Sequence, residues 1–483
     1  MMAKVKYIIL LIILLADIGY SFYQHYHMPL YGDMADLISP SPGKGNYQVL
    51  HDPFGLNALL KNEIYPNPNR FFAHWTASEY FLNVPLLLQK FVNPISSVYL
   101  SSAIAKTIIQ VLIIYLLAVY ISNTGNIFKS EFLIAALLVT PFFQSSGFAR
   151  TMGIIDQSVI YTFFYALPLG LLLLFFLPFF KVLYYDKKPK FNLVLNILLA
   201  LFIVFLSLNG PLGPGVVLIA CPLVLISIWL KNYKQMEEIN PSSKRGLISF
   251  KKIPNLIMIF FVGFCIFSLY SLSIGWNNSL NFGDSIPLID RYLVLPTGIY
   301  NLISKKIAFP LLFLMIAINV IIIQKHYKSD EAQKILNLIK WIGVFAIIYI
   351  LLLPLGGFRN YRENIVRYDT IMPVTLGIIF VFGRTTFYLI KNVSKKYEKI
   401  YVLGIIVLLS IFANADRLNT EPYECERKSL ETIAISSEKI VLLDCDCPVM
   451  DWHKINDYKN SEQIAELLNY WNITKEKKLY YHK

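Results

Sequence analysis

Two carboxylates stand three residues apart in the stretch Tyr31-Gly32-Asp33-Met34-Ala35-Asp36. On a helical backbone that spacing puts both side chains on one face, with Cβ atoms about 5–6 Å apart. Close like charges raise the pKa of one member, which suits a carboxylate to taking up and returning a proton. Pro40 would stop such a helix soon after. Two solvated acids in a loop are the plain alternative, since Asp-x-x-Asp by itself is a weak motif.

A second constellation is the run 358–369, which carries Arg359, Arg362 and Arg367, followed by Tyr368 and Asp369. Arginine holds phosphate through a planar fork of two parallel hydrogen bonds. Headgroup anchoring, or pairing with Glu363 and Asp369, would use the same residues without any ligand.

Smaller candidates are scattered. Arg150 and Asp156 read as a mutual salt bridge in a short loop. His51-Asp52 and His74 lie in the first long loop, and His25 and His27 just after the first apolar run. Histidine beside carboxylate can bind metal, but no helical pair of His four apart occurs, so surface hydrogen bonding is the simpler expectation. Lys106 and Gln110 fall inside an apolar run, where a central charge costs about 2.5–3.5 kcal/mol. Lys106 is expected to snorkel to the interface, as is Asp17. Cys221 and Cys265 lie in apolar runs and read as packing residues. For Cys425, Cys445 and Cys447 in the tail, a disulfide or free thiols are expected ahead of zinc held with His453.

The elements that must position these groups follow from composition. The 483 residues are 56% hydrophobic and only 16% charged, with mean hydropathy +0.53. A soluble globular chain carries about 25% charged residues. Repeated long apolar runs therefore indicate a polytopic membrane protein, and in lipid such runs must be helical to satisfy their own backbone. The net charge is +13, but the cations gather in short loops. That is a topology signal, so nucleic acid is excluded as a partner and membrane lipids are expected instead.

The expected fold is an all-α membrane protein with about eleven transmembrane helices. They fall at 5–21, 98–121, 132–143, 159–180, 191–208, 216–230, 256–274, 307–323, 341–355, 371–390 and 400–413. The first follows Lys4 and Lys6 without a cleavage site behind it and reads as an uncleaved anchor. The membrane domain spans 1–415 and includes a large first outer loop at 23–97. Pro29, Pro40, Pro42, Gly43 and Gly45 break that loop into turns. Its segments 56–64 and 71–92 read as helices lying in the interface. Residues 416–483 form a small α/β tail, with a strand at 439–443 and a helix at 461–471. Lys and Arg concentrate at 181–190, 231–252, 325–340 and 391–399. The positive-inside rule then gives a cytoplasmic N-terminus and an extracytoplasmic tail, on the same side as the first loop, 275–306 and 356–369.

This assembly resembles membrane glycosyltransferases of the GT-C class, which include protein O-mannosyltransferases and lipid A aminoarabinose transferases. The likeness rests on Asp33 and Asp36 after the first span, interfacial helices within 56–92, and Arg367-Tyr368 before a late span that starts near Pro373. Family members often carry adjacent acids or Asp-x-Asp, whereas this chain has Asp-x-x-Asp. The resemblance implies transfer from a polyprenyl-phosphate-linked sugar to a glycan, lipid or protein acceptor, with inversion. Asp33, or else Asp36, would be the base. Arg367, helped by Arg359 or Arg362, would hold the lipid phosphate. Arg150, His51, Asp52, His74 and Tyr368 complete the candidate substrate contacts. No organic cofactor is implied, and the departure in the acid motif leaves open whether a divalent metal takes part.

Other functions would use some of the same residues. A transporter or flippase of a lipid-linked saccharide needs the arginines but no base in the first loop. A polysaccharide polymerase or ligase would place its arginines in a late outer loop. A scaffold predicts no pocket joining acids and arginines. The absence of a Walker loop disfavours an ATP-driven pump.

Overall fold

The computed structural model describes residues 2–41, 43–187, 191–239, 245–282, 286–359, 362 and 364–483. Pro42, Glu363 and parts of the basic stretches 181–190 and 231–252 lie outside the described residues.

Among the described residues, nine helices are long and apolar enough to cross a membrane. They are Val5–Tyr26, Pro94–Ser122, Val159–Leu183, Leu212–Met236, Asn255–Gly275, Ala308–His326, Asp330–Gly356, Met372–Asn392 and Lys395–Ala415. Two shorter apolar helices, Ser130–Phe142 and Leu193–Ser207, take the remaining expected positions. The protein is therefore an all-α, multi-pass membrane protein. Local chemistry sets several boundaries. Asn93 accepts from the Ser96 amide with Pro94 at the first helical position, and Ser329 accepts from the Ala332 amide. These caps start their helices upstream of the apolar runs.

Pro94–Ser122 and Met372–Asn392 are the most enclosed spans. Several of their polar residues are paired inside the bundle. Gln110 donates to Ser21 Oγ at 3.0 Å and pairs with His25 Nε2 at 2.9 Å. Asn319 donates to Thr385 and Thr386 at 3.0 and 2.9 Å, and Tyr401 donates to Asn319. Lys106 does not snorkel. It is 1% exposed, and its ammonium donates to the Gln157 carbonyl. The segment 153–158 folds over the bundle and brings an acceptor to the lysine, so the side chain need not reach for water. Asp17 likewise stays in place and accepts from Thr140 at 2.7 Å.

The first loop is more structured than hydropathy suggests. After α1 (Met2–Tyr26) come α2 (Met34–Ile38), α3 (Lys44–His51), α4 (Leu56–Lys61) and α5 (Phe71–Leu88), before α6 (Pro94–Ser122). Only α4 and α5 are anticipated from the sequence. Turns as short as α2 leave little periodicity to read.

The tail contains the helix Glu421–Ile435, strand β1 (Ile440–Leu443), the helix Glu462–Tyr470 and strand β2 (Leu479–His482). The strands pair in parallel, Ile440 opposite Leu479. Cys425 and Cys447 form a disulfide. The tail is not set apart from the first loop, because one apolar core joins Leu30, Met34, Leu37 and Ile38 to Leu430, Ile433, Leu467, Trp471 and Tyr480. Tyr20 and Gln24 of α1 both donate to the Asp416 carbonyl at 3.1 Å, so the tail leaves the bundle beside the start of the first loop.

Glu426 pins this junction. Its carboxyl is 1% exposed and accepts from the Leu30 amide at 2.7 Å, Tyr99 Oη at 2.7 Å and the Met450 amide at 2.8 Å. Burial pushes it up to about 7. A folded-state value above the unfolded one means the folded protein binds the proton more tightly. The stability contributed by that proton is full below the unfolded value and is lost as pH rises toward 7. The thermal midpoint of the purified protein should therefore fall between about pH 5 and about pH 7, and Glu426→Gln should flatten that slope. A slope unchanged in Glu426→Gln would assign it to another group.

Candidate active site

A cavity of about 820 Å³ lies at the loop end of the bundle. Its walls come from the first loop, the spans Val159–Leu183, Leu212–Met236 and Asp330–Gly356, and the segments 276–281 and 356–370. The first loop is tied to the opposite wall by Tyr65, whose amide donates to Asn277 and whose carbonyl accepts from Ser279. Of the residues singled out in the sequence, Asp33, Asp36, His74, Arg359, Arg362 and Arg367 line this one space.

The acids reach it because α2 is amphipathic over a single turn. Met34, Ala35, Leu37 and Ile38 are buried in the core, which leaves Asp36 facing out. Asp33 is the N-cap residue. Its Oδ1 accepts from Trp452 Nε1 at 3.0 Å, and no hydrogen bond to its Oδ2 is made among the described residues. With the Gln463 amide in the orientation that satisfies both groups, its nitrogen donates to Asp36 Oδ1 at 3.3 Å and its oxygen accepts from the Gly43 amide. The Asp36 carboxyl is pushed up, first by burial and only lastly by the charge of Asp33, with the Gln463 bond opposing both. The like-charge effect expected from spacing is thus the smaller cause.

The arginines are already partly engaged. Arg362 donates to Asp369 at 2.8 Å, and Arg367 grips the same carboxylate with Nε at 3.0 Å and Nη2 at 3.1 Å. Arg362 also donates to Tyr161 Oη at 3.2 Å. Arg359 donates to the Leu280 carbonyl at 2.9 Å and to Asn281 at 3.2 Å. Two guanidiniums on one carboxylate leave a net positive charge facing the cavity. The lining as a whole carries Lys44 and four arginines against three carboxylates, which favours an anionic ligand.

The fourth arginine was not singled out by sequence. Arg70 lies just before α5, with its guanidinium over the rings of Phe164 (4.7 Å) and Tyr165 (5.8 Å). Its guanidinium makes no hydrogen bond or ion pair among the described residues, and the buried Nε has no partner. Gly210, at φ +102, makes room for it, since a Cβ there would sit 2.9 Å from Nε. The rings are presented by a π-helical turn, Thr162–Ala166, a distortion frequent at functional sites. One arginine among the turn residues of 66–70 has no spacing to mark it. His74, a turn further along, donates through Nδ1 to Asn46 Oδ1 at 2.5 Å and stacks on Phe164. Burial, then the charge of Arg70, holds it down to about 3, so it is neutral, and its buried Nε2 has no partner.

Several expected site residues lie elsewhere. His51 caps its own helix through the Tyr47 carbonyl at 2.8 Å and stacks on that ring. Asp52 is buried and structural: it accepts from the amides of Leu56 and Asn57, starting α4, and from Tyr65 Oη. Arg150 is exposed and does not pair with Asp156. Asp156 accepts instead from Tyr368 Oη at 2.8 Å and the Ser158 amide. Burial raises the Asp156 carboxyl, and burial together with that carboxylate raises the Tyr368 hydroxyl. Tyr368 therefore anchors the arginine loop rather than lining the cavity.

Among the described residues no third His, Cys, Asp or Glu ligand atom gathers with Asp33 and Asp36, and one oxygen of Asp33 is held by Trp452. The three sulfurs of Cys425, Cys445 and Cys447 do cluster, but two of them are joined as the disulfide.

No protein-family model matches the chain, and no curated protein does. Among solved structures, the chain is similar to the Archaeoglobus fulgidus oligosaccharyltransferase in its apo form, at 12% identity and a TM-score of 0.38. The match covers 88% of this chain and 58% of that one, so the chain spans little more than half of that protein's length. At that identity and score the likeness carries no information about function.

Proposed function

We propose that the protein is a membrane glycosyltransferase that moves a sugar from a polyprenyl-phosphate donor to an acceptor hydroxyl, with inversion, at the outer face of the membrane. The observation that supports it is the meeting of an early acid pair and late arginines in one cavity. The cavity's bundle side is apolar, with Leu218 and Ile219 on one span and Leu352 and Leu353 on another, and a prenyl chain could lie against it. The outer location rests on the basic loops at the opposite end of the bundle.

In this reading Asp33, or else Asp36, accepts the proton of the acceptor hydroxyl as its oxygen attacks the anomeric carbon. The bond from that carbon to the phosphate oxygen breaks, and the electron pair leaves with the phosphate. Arg70, Arg362 and Arg367 stabilise the charge that develops there. Fixed cationic donors at a leaving oxygen can lower a barrier by several kcal/mol, since they need no reorganisation as the charge forms.

The test is to incubate purified protein with a panel of polyprenyl-phosphate monosaccharides and measure release of polyprenyl phosphate. Release that depends on protein supports transfer. Movement of intact donor across proteoliposomes, with no release, would support the flippase reading instead.

A further inference from the structure

The loop that precedes the last helix of the tail reaches the acid pair. Trp452 donates from Nε1 to Asp33 Oδ1 at 3.0 Å. Its ring lies parallel to Tyr31, with centroids 6.1 Å apart and planes 6° from parallel, and 5.6 Å from the ring of Tyr161. Between Tyr31 and Asp33 the chain passes Gly32 at φ +88, where a Cβ would sit 2.4 Å from the indole. Three consecutive residues and one from a span therefore flank the indole, which stays 40% exposed. The loop is fixed just upstream. Met450, in a left-handed conformation at φ 52, gives its amide to Glu426, and Cys447 is joined to Cys425. The indole arrives on a tethered segment, not on a free chain end.

We propose that Trp452 is the positioning residue for the Asp33 carboxylate, so that the C-terminal tail completes the active site. The inference rests on the reading of Asp33 as the base. The indole N–H occupies one carboxylate oxygen of a residue that lines the cavity, and among the described residues the other oxygen makes no hydrogen bond. A carboxylate free to rotate about its side-chain torsions would present that oxygen only part of the time. A donor flanked by two aromatic rings restricts that freedom without adding a charge. The other charged or titratable groups facing Asp33 are Asp36 on its own helix and Tyr161, with Arg362 behind it.

Trp452→Phe keeps an aromatic ring but removes the N–H donor together with the smaller ring of the indole. In the full-length protein it should lower kcat roughly tenfold or more, the usual scale for a hydrogen bond to a charged group. The donor KM should stay at the wild-type value. The thermal midpoint should stay near wild type, and Trp452→His, which regains a ring N–H, should recover part of the rate. A wild-type kcat in Trp452→Phe would overturn the proposal, as would a fall in thermal midpoint with no recovery of rate in Trp452→His. Asp33→Asn assayed alongside separates the premise. Wild-type transfer in that variant would remove Asp33 as base, whereas lost transfer there with unchanged Trp452→Phe would remove only the positioning role.

Discussion

Asp33→Asn is expected to slow transfer by about 10²–10⁴-fold, the range lost when a general base is removed. The substitution is nearly isosteric. The side-chain oxygen of asparagine can still accept from Trp452 Nε1, which holds the native residue at 3.0 Å. The side chain of Asp33 makes no capping bond to α2, so the helix loses nothing with it. Only the capacity to take a proton disappears. Thermal midpoint and membrane insertion should match wild type, while the initial rate of polyprenyl phosphate release falls. With Asp33 as the base, Asp36→Asn should have the smaller effect. If the order of the two variants is reversed, the base is Asp36. If neither slows release, the transfer mechanism is wrong.

Arg70→Ala is expected to reduce kcat/KM for the donor roughly 10- to 100-fold, the worth of one or two charge-assisted hydrogen bonds. Arg70 is the informative arginine because its guanidinium makes no hydrogen bond or ion pair among the described residues, so the folding energy that goes with it is that of its contacts with the Phe164 and Tyr165 rings. Arg70→Lys should recover only part of the loss, since an ammonium keeps the charge but not the planar fork. Arg367→Ala would be harder to interpret. It strips donors from Asp369, which is 4% exposed, and removes the Arg367 bond to the Asn364 carbonyl that shapes the loop. Leaving a buried carboxylate under-paired is destabilising, so activity and thermal midpoint should fall together. A donor KM and kcat/KM unchanged by Arg70→Ala would take that residue out of the phosphate site.

Much of the frame was legible in the chain. Spans follow from apolar runs, because lipid demands long helices with closed backbones, and the interfacial helices within 56–92 and the tail's strand and helix also appear near their expected places. The errors have physical causes. Lys106 looked like a snorkelling residue until the segment 153–158 was seen to bring it an acceptor. Arg150 and Asp156 looked like a pair from proximity alone, yet Tyr368 from a distant loop takes the carboxylate. His51 and Asp52 looked like ligands, yet their partners are the backbone of their own turns.

The amino-acid order alone determined which segments must be helical in lipid, where the long polar loop falls, and that acids open it while arginines crowd a late one. Those properties depend on residues within a few turns of each other. What tertiary structure decided is which of these groups meet. Asp33 lies beside Trp452 of the tail, and Arg362 and Arg367 share Asp369 while Arg70 keeps its donors. Such pairings join side chains far apart in the chain and depend on how whole helices pack, a quantity that no local pattern of hydropathy or spacing encodes.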